Sequence, residues 1–191
     1  MSAALSLPEP ALVRDDWTAE DLHHLPDDYR HEIVDGVLHM SPSPRRGHQQ
    51  LSVALLVALQ PFLPEGWSAT VALDVVLTED ARNVRQPDIV VYRDGDPDQM
   101  VRFDEVALVV EVVSPGSRTE DRVTKPVVYA EAGIPAYWRV EQKPALSVVE
   151  YQLTELGKYY EHSARAGVSS VDKPWPIEID LDEVAREAGL A

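Results

Sequence analysis

Apolar residues recur along the chain in short runs that predict strands, with a few longer runs that predict helices. Two of the short runs, 29–34 and 37–40, flank Asp35 and Gly36. A two-residue Asp-Gly connection predicts a tight hairpin, because its type I′ turn needs positive φ angles that these residues tolerate. Further strands are predicted at 71–77, where Asp74 interrupts the run, and at 88–92, 108–113, 137–141, 146–153 and 159–162.

Helix signals lie on both sides of this group of strands. A helix capped by Thr18 should run to about Leu25, and the segment 51–59 is apolar on nearly every side, which predicts a helix buried all round. Later helices are predicted from Ser117 or Thr119 to Ala132, with Gly133 as the C-terminal cap, and over 182–188. This order of elements indicates an α/β or α+β domain with a central mixed β-sheet flanked by helices.

Length and composition fit one globular domain. Of 191 residues, 45% are hydrophobic and 26% are charged. Residues 1–14 contain two prolines and no regular period, so we expect a flexible lead-in followed by a single domain over 15–191. No apolar run approaches the roughly 20 residues of a membrane span, and the N-terminus lacks a signal-peptide pattern, so we expect a cytoplasmic protein.

Charge and cysteine content narrow the chemistry. The chain has no cysteine, which excludes disulfides, thiol nucleophiles and zinc–cysteine sites, so a metal would be held by carboxylates or histidines and hard cations are favoured. The net charge of −16 opposes non-specific binding to DNA, because such binding depends on neutralising phosphates. A bound divalent ion would reverse that charge locally.

The most informative positions are two carboxylates on neighbouring predicted strands. Asp88 begins one strand directly after a proline, and Glu111 lies inside an unbroken Val/Leu run. A carboxylate is costly to bury alone, so Glu111 needs a metal or a cation beside it. Two other interpretations stay open: Glu111 forms a structural ion pair, for example with an arginine, or it faces solvent on an edge strand.

Other polar residues have ordinary interpretations when each is taken alone. Asp121, Lys125 and Tyr129 are four residues apart and share a helix face, a spacing more typical of solvated salt bridges than of catalysis. The remaining candidates are Glu32 as a surface acid, His48 as a capping or packing residue, and Asp74 on the exposed face of its strand.

Taken together, in this order and spacing, these residues resemble the Uma2 family (DUF820) of restriction-endonuclease type, within the PD-(D/E)XK nuclease superfamily. The resemblance extends over residues 16–151. The matching segments are His31–Gly36, Ser41–Pro44 with His48, Leu73–Leu77, Gln86–Asp88, Val110–Pro115, Asp121 with Lys125 and Tyr129, and Gly133–Trp138.

The resemblance implies a restriction-endonuclease-like core with a metal site. Asp88 and Glu111 would be ligands of Mg²⁺ or Mn²⁺, and Glu32 would contribute from the N-terminal side. The superfamily's lysine, two positions after the second acid, would fall on Val113, so Lys125 is expected to take its role of assisting water activation or offsetting transition-state charge. Residues expected to support the ligands or bind substrate are His48, Gln86, Asp121 and Tyr129.

The implied activity is endonucleolytic hydrolysis of phosphodiester bonds in nucleic acid, with DNA as the expected substrate, weak non-specific affinity and a homodimer as the expected assembly. Two other functions stay open. One is a nuclease-fold binding or regulatory module with little or no catalysis, which the net charge of −16 favours. The other is a phosphodiesterase for a small phosphate ester, which an acidic surface would tolerate better.

Pro126 directly follows Lys125 and bears on whether the lysine can reach Glu111. A proline inside a helix removes a hydrogen bond and clashes with the preceding turn, at a cost of about 3 kcal/mol. Either the helix starts late, with Thr124 near its cap and Pro126 in its first turn, or it is kinked at this point.

Overall fold

The structure is a computed structural model that describes residues 14–26 and 29–190, so the expected lead-in over 1–14 lies outside the described residues except for Arg14. In chain order the strands are β1 (Arg30–Val34), β2 (Val37–Ser41), β3 (Trp67–Val71), β4 (Val75–Val76), β5 (Val84–Arg85), β6 (Ile89–Arg93), β7 (Val101–Arg102), β8 (Val106–Val112), β9 (Ala136–Glu141), β10 (Ser147–Leu153), β11 (Tyr159–Glu161), β12 (Arg165–Ala166), β13 (Val168–Val171) and β14 (Ile177–Asp180).

The α-helices are α1 (Ala19–Leu22), α2 (Arg46–Leu59), α3 (Lys125–Glu131) and α4 (Leu181–Glu187). Short 3₁₀ turns occupy Gln60–Phe62 and Phe103–Glu105, and a π-helical turn occupies Glu120–Thr124. Across the described part of the chain, every helix falls short of the length and apolar character of a membrane span.

A mixed sheet forms the centre of the molecule, as the order of the predicted elements indicates. Its strands lie in the order β11, β10, β9, β8, β6 and β3, and β12 also pairs with β10. The two long neighbours β8 and β9 are parallel, whereas β6 pairs antiparallel with both β8 and β3. The helix α3 with its preceding turn connects β8 to β9, which is the crossover that a parallel pair requires.

A smaller sheet, in the order β2, β1, β5, β4 and β7, lies beside the central one. The predicted hairpin forms its edge, with β1 and β2 joined by Asp35 at φ 51° and Gly36 at φ 80°. A side chain at Gly36 would place its Cβ 2.3 Å from the main-chain oxygen of Asp15, so the turn needs glycine for space as well as for conformation.

The helices cover the central sheet on both faces. On one face α2 and α4 pack against alternate residues of β8 such as Val110, and on the other Tyr129 of α3 packs against Val109. The prediction that α2 is buried all round is wrong: Val53 and Val57 are 48% and 50% exposed. One face of the helix meets the sheet, whereas Val53 and Val57 lie at the surface, where isolated valines cost little.

The predicted strand over 71–77 is divided between the two sheets. β3 ends at Val71 in the central sheet, and β4 begins at Val75 in the smaller one. Ala72, at φ 51°, turns the chain between them. The strands β5, β7 and β12 are two residues long and were not predicted, because so short a run carries no period; the β13–β14 hairpin was also missed.

Pro126 lies in the first turn of α3, so the late start is the arrangement observed. The π-helical turn before it runs into α3, with Thr124 as the N-cap. The next i to i+5 bond of that turn would join the nitrogen of residue 126 to the carbonyl of Asp121, but proline has no N–H. The hydroxyl of Tyr137 donates to that carbonyl instead, at 2.7 Å.

Replacing Tyr137 by phenylalanine should lower the free energy of unfolding by about 1–3 kcal/mol, because it leaves a buried carbonyl without a donor. In a Pro126→Ala background the same change should cost less, since position 126 then supplies an N–H. Denaturant unfolding of the four proteins measures both effects. Tyr160→Phe, at a site 61% exposed, is the control. An equal cost in both backgrounds would contradict this account of the turn.

Candidate active site

Asp88 and Glu111 lie side by side on one face of the central sheet. The antiparallel register pairs Ile89 with Val110, so Asp88, just before Ile89, lies opposite Glu111, just after Val110. The carboxylate of Asp88 accepts a hydrogen bond from the backbone N–H of Val112 at 2.8 Å, which fixes it against β8. The two side chains are 7% and 1% exposed, so the sheet buries two acids next to each other.

Lys125 supplies the cation that Glu111 needs. Its Nζ atom lies 2.7 Å from Oε1 of Glu111 and 3.2 Å from Oδ1 of Asp121, and the lysine is 5% exposed. The hydroxyl of Tyr129 donates to the same Oε1 at 2.8 Å. Asp121, Lys125 and Tyr129 therefore share a face, as their spacing predicts, and Pro126 does not prevent it.

Burial and charge set the ionisation of this pair. Burial, together with the nearby charge of Asp88, raises the pKa of Glu111 to about 7 against the opposing effect of Lys125. Burial by itself lowers the pKa of Lys125, but the attraction of Glu111 and Asp121 outweighs it and leaves the lysine pKa raised. The ammonium therefore remains charged at neutral pH.

Asp121, in the π-helical turn, is anchored by Ser117, which lies three residues before that turn. The hydroxyl of Ser117 donates a short hydrogen bond to its Oδ2, while Oδ1 faces the ammonium of Lys125. Burial raises the pKa of Asp121, and the charge of Lys125 opposes that shift. Ser117 was not predicted to belong to the site, although its position four residues before Asp121 is the signal that could have found it.

Arg30 and Glu32 enter the site from β1, where a two-residue spacing places both on one face. Nη1 of Arg30 lies 3.3 Å from Oδ1 of Asp88, and its Nη2 lies 3.6 Å from Oε1 of Glu32. Glu32 also accepts a hydrogen bond from the backbone N–H of Gln86 at 3.1 Å and one from Nη1 of the buried Arg85 at 3.2 Å. Glu32 is thus the partner of two arginines rather than a surface acid.

His48, in the first turn of α2, reaches over the end of the sheet to Asp88. Its Nε2 atom lies 3.2 Å from Oδ2 of Asp88 and 3.0 Å from the main-chain oxygen of Val112. Burial lowers the pKa of His48, but the hydrogen bond to Asp88 raises it overall. Burial likewise raises the pKa of Asp88, yet the contacts with His48 and Arg30 leave it lowered.

Gln86 links the site to the turn between the sheets. Its side-chain amide donates to Oδ1 of Asp74 at 3.0 Å. Asp74 is half-buried, and burial raises its pKa. Asp74 is therefore partly buried and hydrogen-bonded to Gln86, rather than fully exposed as the sequence allowed.

The structure brings all the predicted site residues into one connected cluster. They are Glu32, His48, Gln86, Asp88, Glu111, Asp121, Lys125 and Tyr129. Sequence reasoning missed Arg30 and Arg85. Arg30 could have been found from its two-residue spacing to Glu32. Arg85 lies in a two-residue strand and has no sequence signal that we can identify.

The donor set suits a hard divalent cation. Asp88, Glu111 and the main-chain oxygen of Val112 offer oxygen ligands near one another at the end of β8, and Mg²⁺ and Mn²⁺ prefer oxygen. The charge of Asp88 raises the pKa of Glu111, and a bound cation would offset this repulsion between the two carboxylates. Within residues 14–26 and 29–190, no three histidine or acidic side chains are already arranged as a metal site.

Comparison with known proteins identifies the fold and then the family. The chain is similar to a solved DUF820 protein of Anabaena variabilis ATCC 29413, described as a “putative nuclease”, with a TM-score of 0.64 and 13% identity over 90% of this chain and 99% of that one. At that identity the likeness establishes the fold alone, which is restriction-endonuclease-like. No curated protein matches the sequence. The Uma2 family model, described as “Putative restriction endonuclease”, matches residues 19–181, and the chain therefore belongs to the Uma2 family.

The raised pKa of Glu111 predicts a distinct pH dependence of stability. Because its pKa rises from 4.5 in the unfolded chain to about 7 in the folded protein, the folded state binds more protons between these values. This group therefore makes the free energy of unfolding fall as pH rises from 4.5 to 7. Glu111→Gln should remove this contribution to the fall in the free energy of unfolding, measured by denaturant unfolding between pH 4.5 and 7. The exposed Glu155→Gln is the control, and parallel curves for wild type and Glu111→Gln would contradict the assignment.

Proposed function

We propose that the chain is a divalent-metal-dependent endonuclease, a hydrolase of phosphodiester bonds in nucleic acid. The observation that carries the proposal is the buried arrangement of Asp88, Glu111 and Lys125 at one end of the central sheet. Burying three ionisable side chains together is costly for folding alone, and such sites concentrate where chemistry needs them. Membership of the Uma2 family supports the same activity.

Asp88 and Glu111 are the side chains that we assign to hold Mg²⁺ or Mn²⁺, with Glu32 contributing from β1. Such an ion, when bound, polarises a phosphate and lowers the pKa of a water molecule. His48 and the backbone N–H of Val112 both contact Oδ2 of Asp88 and hold its carboxylate in place. Orientation of ligands by such neighbours is a common requirement of metal sites.

Lys125 is assigned to the phosphate. Its raised pKa keeps the ammonium charged, so it donates hydrogen bonds to the negative charge that develops in the transition state and does not accept a proton from water. Asp121 holds the ammonium beside Glu111 through its contact of 3.2 Å, and Ser117 in turn holds Asp121. Asp121 is thus a positioning residue for Lys125.

The proposed substrate is DNA, bound weakly outside the site because the net charge of −16 repels a polyanion at long range. A homodimer is part of the proposal, since two copies would place one site at each strand of a duplex. The binding-module alternative also has support, because Lys125 and Arg30 already neutralise the acids without a metal.

Cleavage should require both the acids and the lysine. With Mg²⁺ or Mn²⁺ present, Glu111→Gln removes a proposed metal ligand and Lys125→Met removes a charge-stabilising donor. Each should reduce the rate of cleavage of single- and double-stranded DNA by at least about 100-fold, the order seen when one such donor is removed. A gel assay over a panel that includes RNA measures the rates. Glu155→Gln and Lys158→Met, both exposed, are the matched controls.

Two results would argue against the nuclease proposal. One is the absence of divalent-dependent cleavage by the wild-type protein on every substrate of the panel. The other is cleavage by Glu111→Gln at the wild-type rate, with melting temperatures showing that both proteins are folded.

A further inference from the structure

Arg30 lies between the acidic cluster and a pocket on the surface. The pocket has a volume of about 260 Å³ and opens between α1, β1 and the start of α2. Its lining includes Leu25, Tyr29, Arg30, Pro44, Gln49 and Gln86. Asp74 also lines the pocket. Asp88 is absent from the described lining, so Arg30, which contacts Asp88, lies between that carboxylate and the pocket.

Among the described residues, one edge of the Arg30 guanidinium has no hydrogen-bond partner. Its Nη1 faces Asp88 at 3.3 Å, and its Nη2 makes a longer ion-pair contact of 3.6 Å with Glu32. Within the described part of the chain, neither Nε nor Nη2 donates a hydrogen bond, although both atoms are buried. Buried donors are almost always paired, so an unpaired pair on one charged group indicates a missing acceptor.

The geometry of that edge selects the acceptor. Nε and Nη2 present parallel N–H donors in a fixed plane, the arrangement that binds two oxygens of a phosphate or carboxylate at once. Burial alone lowers the pKa of Arg30, but the surrounding acids raise it, so the group stays charged. The Asp88 and Glu32 contacts leave this edge available because the first uses Nη1 and the second is too long for a hydrogen bond.

We propose that the pocket receives a single unpaired nucleotide and that the free Nε–Nη2 edge of Arg30 binds its phosphate. This inference rests on the proposed nuclease function and names the form in which the substrate reaches the acids. A phosphate on this edge lies next to Asp88, since Nη1 of the same guanidinium already contacts that carboxylate. Arg30 is then a substrate-binding residue of the site.

The pocket's size and walls fit one nucleotide. Its volume of about 260 Å³ is just below the range of about 300–1,000 Å³ that is typical of small-molecule sites. A pocket of this size is too small for a duplex. Tyr29, 39% exposed, offers a ring on which an unpaired base can stack, and Leu25 and Pro44 add apolar side chains to the lining. Gln49, which is exposed, also lines the pocket, and its side-chain amide is a group that can hydrogen-bond a base.

Binding without cleavage tests this inference separately from the nuclease proposal. In metal-free wild-type protein, inorganic phosphate and thymidine monophosphate should both shift the NMR signal of the Arg30 Nε–H, identified by its loss in Arg30→Lys, whereas thymidine should not. Arg30→Lys keeps the charge but loses the paired donors, so calorimetry should give a dissociation constant at least about tenfold weaker for thymidine monophosphate. Arg186→Lys, on the exposed side of α4, should bind as wild type.

Tyr29→Ala, which leaves the ion pairs intact, should weaken thymidine monophosphate but not inorganic phosphate, and it keeps the test open if Arg30→Lys does not fold. An unshifted Nε–H signal at saturating phosphate, or equal affinities in wild type and Arg30→Lys, would overturn the inference even if the protein cleaves DNA. Nucleotide binding that depends on Arg30 in a protein without cleavage would uphold the pocket and reject the nuclease.

Discussion

The burial of Glu111 inside β8 is the constraint on which the rest of the site depends. A carboxylate that is 1% exposed needs a partner, and Lys125 provides it at 2.7 Å. The lysine in turn needs Asp121, which Ser117 holds. Removing either member of such a pair would leave an unpaired buried charge, at a cost of about 3–5 kcal/mol. The π-helical turn and α3 together place the ammonium of Lys125 beside Glu111 in the central sheet.

The same requirement joins the two sheets. Asp88 belongs to the central sheet, while Arg30 and Glu32 belong to β1 of the smaller one, and their contacts lie where the sheets meet. The cluster combines acids and cations in a chain whose overall charge is −16, so its local charge is far more balanced than that of the whole molecule. A strongly acidic protein can therefore still hold a guanidinium and an ammonium together in this cluster, as the proposed binding of a phosphate requires.

The elements and residues that the sequence predicted correctly are those with a strong local signal. The Asp35–Gly36 turn needs positive φ angles, and the four-residue spacing of Asp121 and Lys125 survives a proline because the helix begins at that point. The errors come from tertiary context. Whether Val53 faces the sheet or solvent depends on what packs against α2, and Arg30 entered the site only once the two sheets were placed side by side. A single sequence carries little information on either.

The central claim, that Asp88 and Glu111 form a metal site, is tested most directly by titrating the protein with Mn²⁺. Calorimetry and electron paramagnetic resonance should give one site in the wild-type chain, binding at least about tenfold more weakly in Asp88→Asn and in Glu111→Gln and unchanged in Glu155→Gln. Absence of Mn²⁺ binding at millimolar concentration, or equal binding by all four proteins, would contradict the claim. Those results would favour the binding module.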